Sequence, residues 1–143
     1  NMAGKRKTGK KGNIFRLKMT RGLCTSTHIK IVDNSGAKIG NIIGVIGLKV
    51  RMNRLPYATI GDLVVVSIKK GNKEMRKKIL KAVIVRQKQI IRRPDGTRIC
   101  FEDNAGVIVA DDGEPKGSDI RGPIAREAAD KFPRVANIAS QIV

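Results

Sequence analysis

Two pairs of adjacent carboxylates, Glu102-Asp103 and Asp111-Asp112, are the residues best equipped for chemistry, since paired acids can hold a metal or divide acid and base roles. Neither pair has the company such work needs. His28 is the only histidine, and Cys24 and Cys100 lie far apart without metal-ligand spacing. There is no glycine-rich phosphate loop and no dinucleotide fingerprint. With many lysines and arginines available, the carboxylates are expected in salt bridges or in solvent. The chain therefore reads as a non-enzyme with no catalytic residue, no metal and no cofactor, and its two thiols as reduced and incidental.

The abundant chemical group is the cation. Thirty basic side chains oppose twelve acidic ones in 143 residues, a formal charge of +18. Self-repulsion on that scale opposes a compact state unless a polyanion neutralises it. Nucleic acid is the first candidate and an anionic membrane the second. No apolar run approaches the roughly 18 residues of a membrane span, and no apolar stretch follows the basic start as in a secretory signal. A membrane partner is not expected. Residues 1–98 carry 25 basic and 4 acidic side chains, whereas residues 99–143 carry 5 and 8. A part facing a polyanion and a part facing something else are implied. The four rings, Phe15, Tyr57, Phe101 and Phe132, are too scattered to stack single-stranded bases, so the favoured anion is a folded RNA met through shape and phosphates.

Five short strands must position these cations. Thr27 to Val32 alternates, with Ile29 and Ile31 on one face, and turns at Asp33-Asn34-Ser35-Gly36. Ala37 to Val50 is a glycine-interrupted strand region, and Leu63 to Ile68 is a buried strand. Ala82-Val83-Ile84-Val85 opens a long basic hairpin that turns at Asp95-Gly96 and returns to Ala105 to Val109. Arg51 to Pro56 and Lys69 to Lys81 read as basic loops. Gly122-Pro123 suits a helix start, with Ile124, Ala125, Ala128, Ala129 and Phe132 on one face and Glu127 one turn before Lys131. A second short helix is expected from about Arg134 to Ala139. The fold class is all-β: a small five-stranded barrel with long basic loops and one or two C-terminal helices at about 123–139. Residues 1–19 form a basic extension, of which residues 1–13 read as an arm that orders on phosphate, and residues 20–143 form one domain.

The hairpin resembles the signature segment of the universal large-subunit ribosomal protein family numbered fourteen, twenty-third in older eukaryotic naming. The matching residues are Ala82-Val83-Ile84-Val85, the spacer through Arg92-Arg93-Pro94, Asp95-Gly96, Phe101, Asn104 and Val107-Ile108. Asp33 to Ala37, Gly61-Asp62, Gly117-Ser118 and Gly122 to Glu127 resemble further family motifs in consistent order, so the likeness covers roughly 20–143. The loops at Arg51 to Pro56 and Lys69 to Lys78 resemble the eukaryotic and archaeal branch.

The resemblance implies a structural protein bound to large-subunit rRNA near the subunit interface. It implies contact with neighbouring ribosomal proteins, a bridge to small-subunit rRNA, and a C-terminal docking surface for an anti-association factor. It implies a cytoplasmic ribosome, assembled in the nucleolus if the cell is eukaryotic. Loop position nominates Arg51, Arg54, Lys69, Lys70, Arg76, Lys77, Lys78, Arg86, Lys88, Arg92, Arg93 and Arg98 for rRNA. It nominates Asp111, Glu114, Arg121, Arg126, Glu127, Asp130 and Arg134 for protein docking or the bridge. A free-standing barrel that binds RNA or acts as an RNA chaperone is the alternative.

Overall fold

The structure, a computed structural model, describes residues 19–143; the expected basic extension over 1–19, apart from Met19, and the arm expected over 1–13 lie outside the described residues. In chain order the elements are β1 (Leu23–Cys24), β2 (His28–Ile31), β3 (Ala37–Val45), β4 (Tyr57–Ala58), β5 (Leu63–Gly71) and β6 (Ile79–Arg86). There follow β7 (Ile91–Arg92), β8 (Arg98–Ile99), β9 (Ala105–Val109), β10 (Ile120–Ile124), α1 (Arg126–Lys131), α2 (Pro133–Asn137) and β11 (Ala139–Ile142).

Five of these strands close a barrel in the order β2-β3-β5-β6-β9. All neighbours are antiparallel except β2 and β9, whose parallel pairing seals it. Alternation sends Ile29 and Ile31 inward from β2, and Val64, Val66 and Ile68 from β5, while His28 and Lys30 face outward. The continuous apolar runs have a different cause. Ala82 to Arg86 and all of β9 are buried on both faces, because the C-terminal part packs outside them. The Ala125 N–H donates to the Val85 carbonyl at 3.1 Å.

The expected barrel strands are all present, with three altered limits. The strand expected from Ala82 begins at Ile79, so Lys81 stands on a ladder and not in a loop. The strand from Ala37 stops at Val45, where Ile46-Gly47 turn and the Ile46 N–H bonds Leu63 O. The strand from Leu63 runs on to Gly71, so Lys69 and Lys70 stand on a ladder and not in a loop.

The C-terminus departs further from expectation. Gly122-Pro123 does not start a helix; it lies in β10, which pairs in parallel with β11. A register shift separates Ile120 from Pro123. Gly122 takes φ +77° there, open to glycine at little cost, and proline fits a bulge that asks no ladder donor of it. The helix starts only at Arg126, without a side-chain cap, and Pro133 limits it to six residues before opening α2. Ala139, the expected end of the second helix, instead opens β11, a strand that was not expected.

The family-like motifs turn out to hold elements together. Asp33 is buried; its Oδ2 accepts the Ile108 N–H at 3.0 Å and its Oδ1 accepts the Ser35 hydroxyl at 2.6 Å. Asn34 exchanges two 2.8 Å bonds with Ser118. Asp62, also buried, accepts the Thr59 N–H at 2.9 Å. Asn104 Oδ1 accepts the Lys88 N–H at 2.9 Å, fixing the root of the β6–β9 hairpin.

Candidate nucleic-acid interface

The densest basic tract is more ordered than a loop between strands need be. Beyond β5, the Asn72 N–H bonds Gly36 O, and the Met75 and Arg76 N–H groups both bond Asn72 O. Ile68 and Lys78 bond across the tract, and Lys77 sits at φ +61° to close it. Half-buried Met75 anchors the tract on the core. Lys69, Lys70, Lys73, Arg76, Lys77 and Lys78 all remain exposed. Arg76 folds back, its Nε donating to Gly71 O at 3.2 Å. The result is a rigid projection covered with cations.

Arg51 and Arg54 occupy a second projection. The Arg54 N–H bonds Arg51 O at 3.0 Å, and Asn53 takes φ +64° at the tip. Its base is fixed by the β1–β4 pair and by Arg21, whose guanidinium lies 4.1 Å from the Tyr57 ring centre. Met52 and Leu55, 87% and 67% exposed, stand beside the arginines. Sequence reasoning attended to the cations there and passed over these two apolar side chains, although an apolar residue inside a proline-ended loop was a usable signal.

The hairpin carries the third set, and here neighbours in sequence part ways. Between β6 and β9 the segment forms its own small ladder, in which Arg92 lies directly opposite Arg98 and Ile91 opposite Ile99. Ile91 is buried and both arginines are exposed. Like charges directly opposite destabilise a ladder unless an anion sits between them. The turn holds Asp95, whose Oδ1 accepts the Thr97 hydroxyl at 2.5 Å and its N–H at 2.9 Å. Those bonds hold the Asp95 carboxyl below its ordinary pKa, the hydroxyl contributing most.

Arg86 and Arg93 do not belong with these exposed cations, although both were nominated for RNA. Arg86 is 8% exposed. Its Nε and Nη2 reach both Asp103 oxygens at 2.9 and 3.2 Å, and its Nη1 reaches the carbonyls of Arg121 and Pro123. Arg93 grips Glu127 with two bonds and the main-chain oxygen of Val143 with a third at 2.7 Å. Buried guanidinium groups need such planar partners. Their donors are spent inside the fold, where they clamp the C-terminal part to the barrel. Lys88, Arg92 and Arg98 keep exposed heads.

The residues nominated for docking divide similarly. Glu127 is committed to Arg93, although the sequence placed it one turn before Lys131 for a helical pair. Asp111 bonds Lys81 at 2.9 Å, and that ammonium holds the Asp111 carboxyl below its ordinary pKa. Arg134 reaches Asp112 at 3.3 Å and Glu114 at 3.7 Å. Asp111, Asp112 and Arg134 border a groove of about 460 Å³ with Leu63 and Phe132 in its wall. Arg126 and Asp130 are exposed on α1, while Arg121 lies apart from this groove, over β2 and β3. The carboxylate pairs are thus drawn into ion pairs, Asp103 with Arg86 and Asp111 with Lys81. Among the described residues no three potential ligands gather around a metal position. The described rings form no stacking platform: Phe101 and Phe132 pack on the core and Tyr57 lies under Arg21.

The chain matches the family model described as ribosomal protein L14p/L23e over residues 22–143. It is 56% identical over 125 residues to the large ribosomal subunit protein uL14 of Sulfurisphaera tokodaii, covering 87% of this chain and 91% of that protein. It is 48% identical over 138 residues to the uL14 of Nitrosopumilus maritimus, covering 96% and 99%. To the uL14 of Saccharolobus solfataricus it is 52% identical over 125 residues, covering 87% and 91%. These relatives are archaeal, which lies within the eukaryotic and archaeal branch that the loops at 51–56 and 69–78 resemble.

Proposed function

The chain belongs to the L14p/L23e family of ribosomal proteins, and from that premise we propose that it is a structural, non-catalytic component of the large ribosomal subunit that binds rRNA through rigid basic projections. The observation that carries the RNA reading is the exposed Arg92–Arg98 cross-strand pair. Two cations held face to face on a short ladder are stabilised by a phosphate between them. The projections at 51–54 and 69–78 extend the same surface chemistry, and nearly all of it faces solvent in the isolated chain.

The finer assignments follow from the division of charge. The mixed-charge groove bordered by Asp111, Asp112 and Arg134, with Glu114 reaching Arg134, is the surface proposed for protein docking, including an anti-association factor, together with exposed Arg126 and Asp130 on α1. Contact near the subunit interface and a bridge to small-subunit rRNA belong to the same proposal. Support comes from the contrast between this mixed-charge surface, already partly self-paired, and the acid-poor projections. The test is sedimentation of the tagged protein in a gradient of cell lysate. Co-migration with large subunits, reversed by high salt, is the expected result. Protein remaining at the top of the gradient, bound to short RNA or free, favours the free-standing barrel.

A further inference from the structure

We propose a fourth RNA seat that none of the basic runs in the sequence marks: the groove between the barrel wall and β10, rimmed by Lys30, Lys38 and Arg121. The inference rests on the reading of the chain as an rRNA-binding protein and adds a site to it.

The groove measures about 550 Å³, and its floor is formed by Ile31, Val32 and Ala37. The three cations come from three strands, β2, β3 and β10, and all are exposed. No basic run in the sequence contains any of them. They meet because the Arg121 N–H bonds Val32 O at 2.8 Å and Arg121 O accepts from Arg86 at 3.0 Å, which pins β10 across the end of β2. Lys30 lies 3.8 Å from Asp103, a long contact on a largely exposed lysine that holds it only weakly. Lys38 and Arg121 have no ion-pair partner among the described residues.

The other polar groups sort themselves clearly. Asp33, the only acid in the lining, is buried with both oxygens bonded, and Asn34 is spent on Ser118. The Asn72 side-chain amide makes no bond among the described residues and lines the groove, with its backbone fixed on Gly36 O. Three separated cations along one groove, one free amide and no available acid suit a strand of alternating phosphate and sugar. Rigid hydrogen-bonded walls hold the cations before the strand arrives, which lowers the ordering cost of binding. Arg121, nominated for protein docking by its place in the acidic C-terminal third, is reassigned to RNA.

The experiment uses the full chain and deproteinised large-subunit rRNA in a salt titration. Three proteins are compared: wild type, the groove variant Lys30→Gln/Lys38→Gln/Arg121→Gln, and a projection variant Arg51→Gln/Arg54→Gln/Lys69→Gln/Lys70→Gln. The groove variant is expected to melt like wild type, to bind about tenfold more weakly, and to lose about two units of the log–log salt slope. Replacing the same three residues with Arg at the lysines, and Lys at Arg121, should restore most of the slope. If the groove variant keeps its slope while the projection variant loses its own, the groove is not an RNA seat and the wider reading stands. If neither loses slope, both fall. Unchanged RNA binding with weaker incorporation into reconstituted large subunits would assign the groove to an acidic protein neighbour and overturn the inference.

Discussion

Arg93 and Glu127 meet through two bonds, Nε to Oε1 at 2.8 Å and Nη2 to Oε2 at 3.2 Å, and tie the tip hairpin to α1. The adjacent Arg92 faces solvent and Arg98. One basic run thus holds the molecule together with one residue and offers charge to a partner with the next.

Arg93→Ala should therefore damage stability and spare the charge surface. Removing one member of a largely buried pair leaves Glu127 without its partner, at a cost of about 1–3 kcal/mol. Urea unfolding checks this. The double variant Arg93→Ala/Glu127→Gln should lose less than the sum of the single changes. A fully additive pair would show that the bonds carry no coupling.

Gly122→Ala should destabilise by about 1–3 kcal/mol, since φ +77° strains an L residue and the new methyl would collide with the Arg86 guanidinium. Thermal melting reads the loss. In an Arg86→Met background the collision is removed and only the strain remains, so the further loss should shrink. An equal loss in both backgrounds would mean the Arg86 contact is irrelevant.

Arg92→Gln is expected to stabilise the free protein by about 0.2–0.5 kcal/mol, by relieving the repulsion with Arg98, and to weaken RNA binding. Opposite signs in the two assays are the diagnostic. A variant that loses stability without RNA present would contradict the view of Arg92–Arg98 as an anion seat.

Carboxyl titration followed by NMR should find Asp111 with a midpoint below the ordinary aspartate value near 3.9, and Lys81→Met should raise it. The folded-state pKa is depressed, so the stabilisation is present above the unfolded pKa and is lost as pH falls through the folded one. Asp95 should behave alike, with Thr97→Val raising its midpoint. No movement in either variant would remove these partners as causes.

Much of the barrel could be read from the chain, because alternation at His28 to Ile31 and the doubly buried run Ala82 to Val85 are local signals of distant packing. The C-terminus could not. Gly122-Pro123 carries a good local helix-start signal, yet β11 and Arg86 claim it, and neither is near in sequence. The same limit applies to the site. Nothing in the run from Arg86 to Arg98 says which arginines turn inward, since their acids stand 17 residues on for Arg86 and 34 for Arg93. The Lys30–Lys38–Arg121 groove has no sequence signature because it exists only once β10 is laid over β2.

The central claim is that the exposed projections, and not the two internal arginines, bind large-subunit RNA. Its most direct test is the salt dependence of binding to deproteinised large-subunit rRNA. Wild type is compared with a six-site variant carrying Gln at Arg51, Arg54, Lys69, Lys70, Arg92 and Arg98, with native folding confirmed first. The log–log slope should fall by about 0.7–0.9 for each phosphate contact removed, approaching four or five units. An unchanged slope, or binding by wild type that ignores salt, would contradict it.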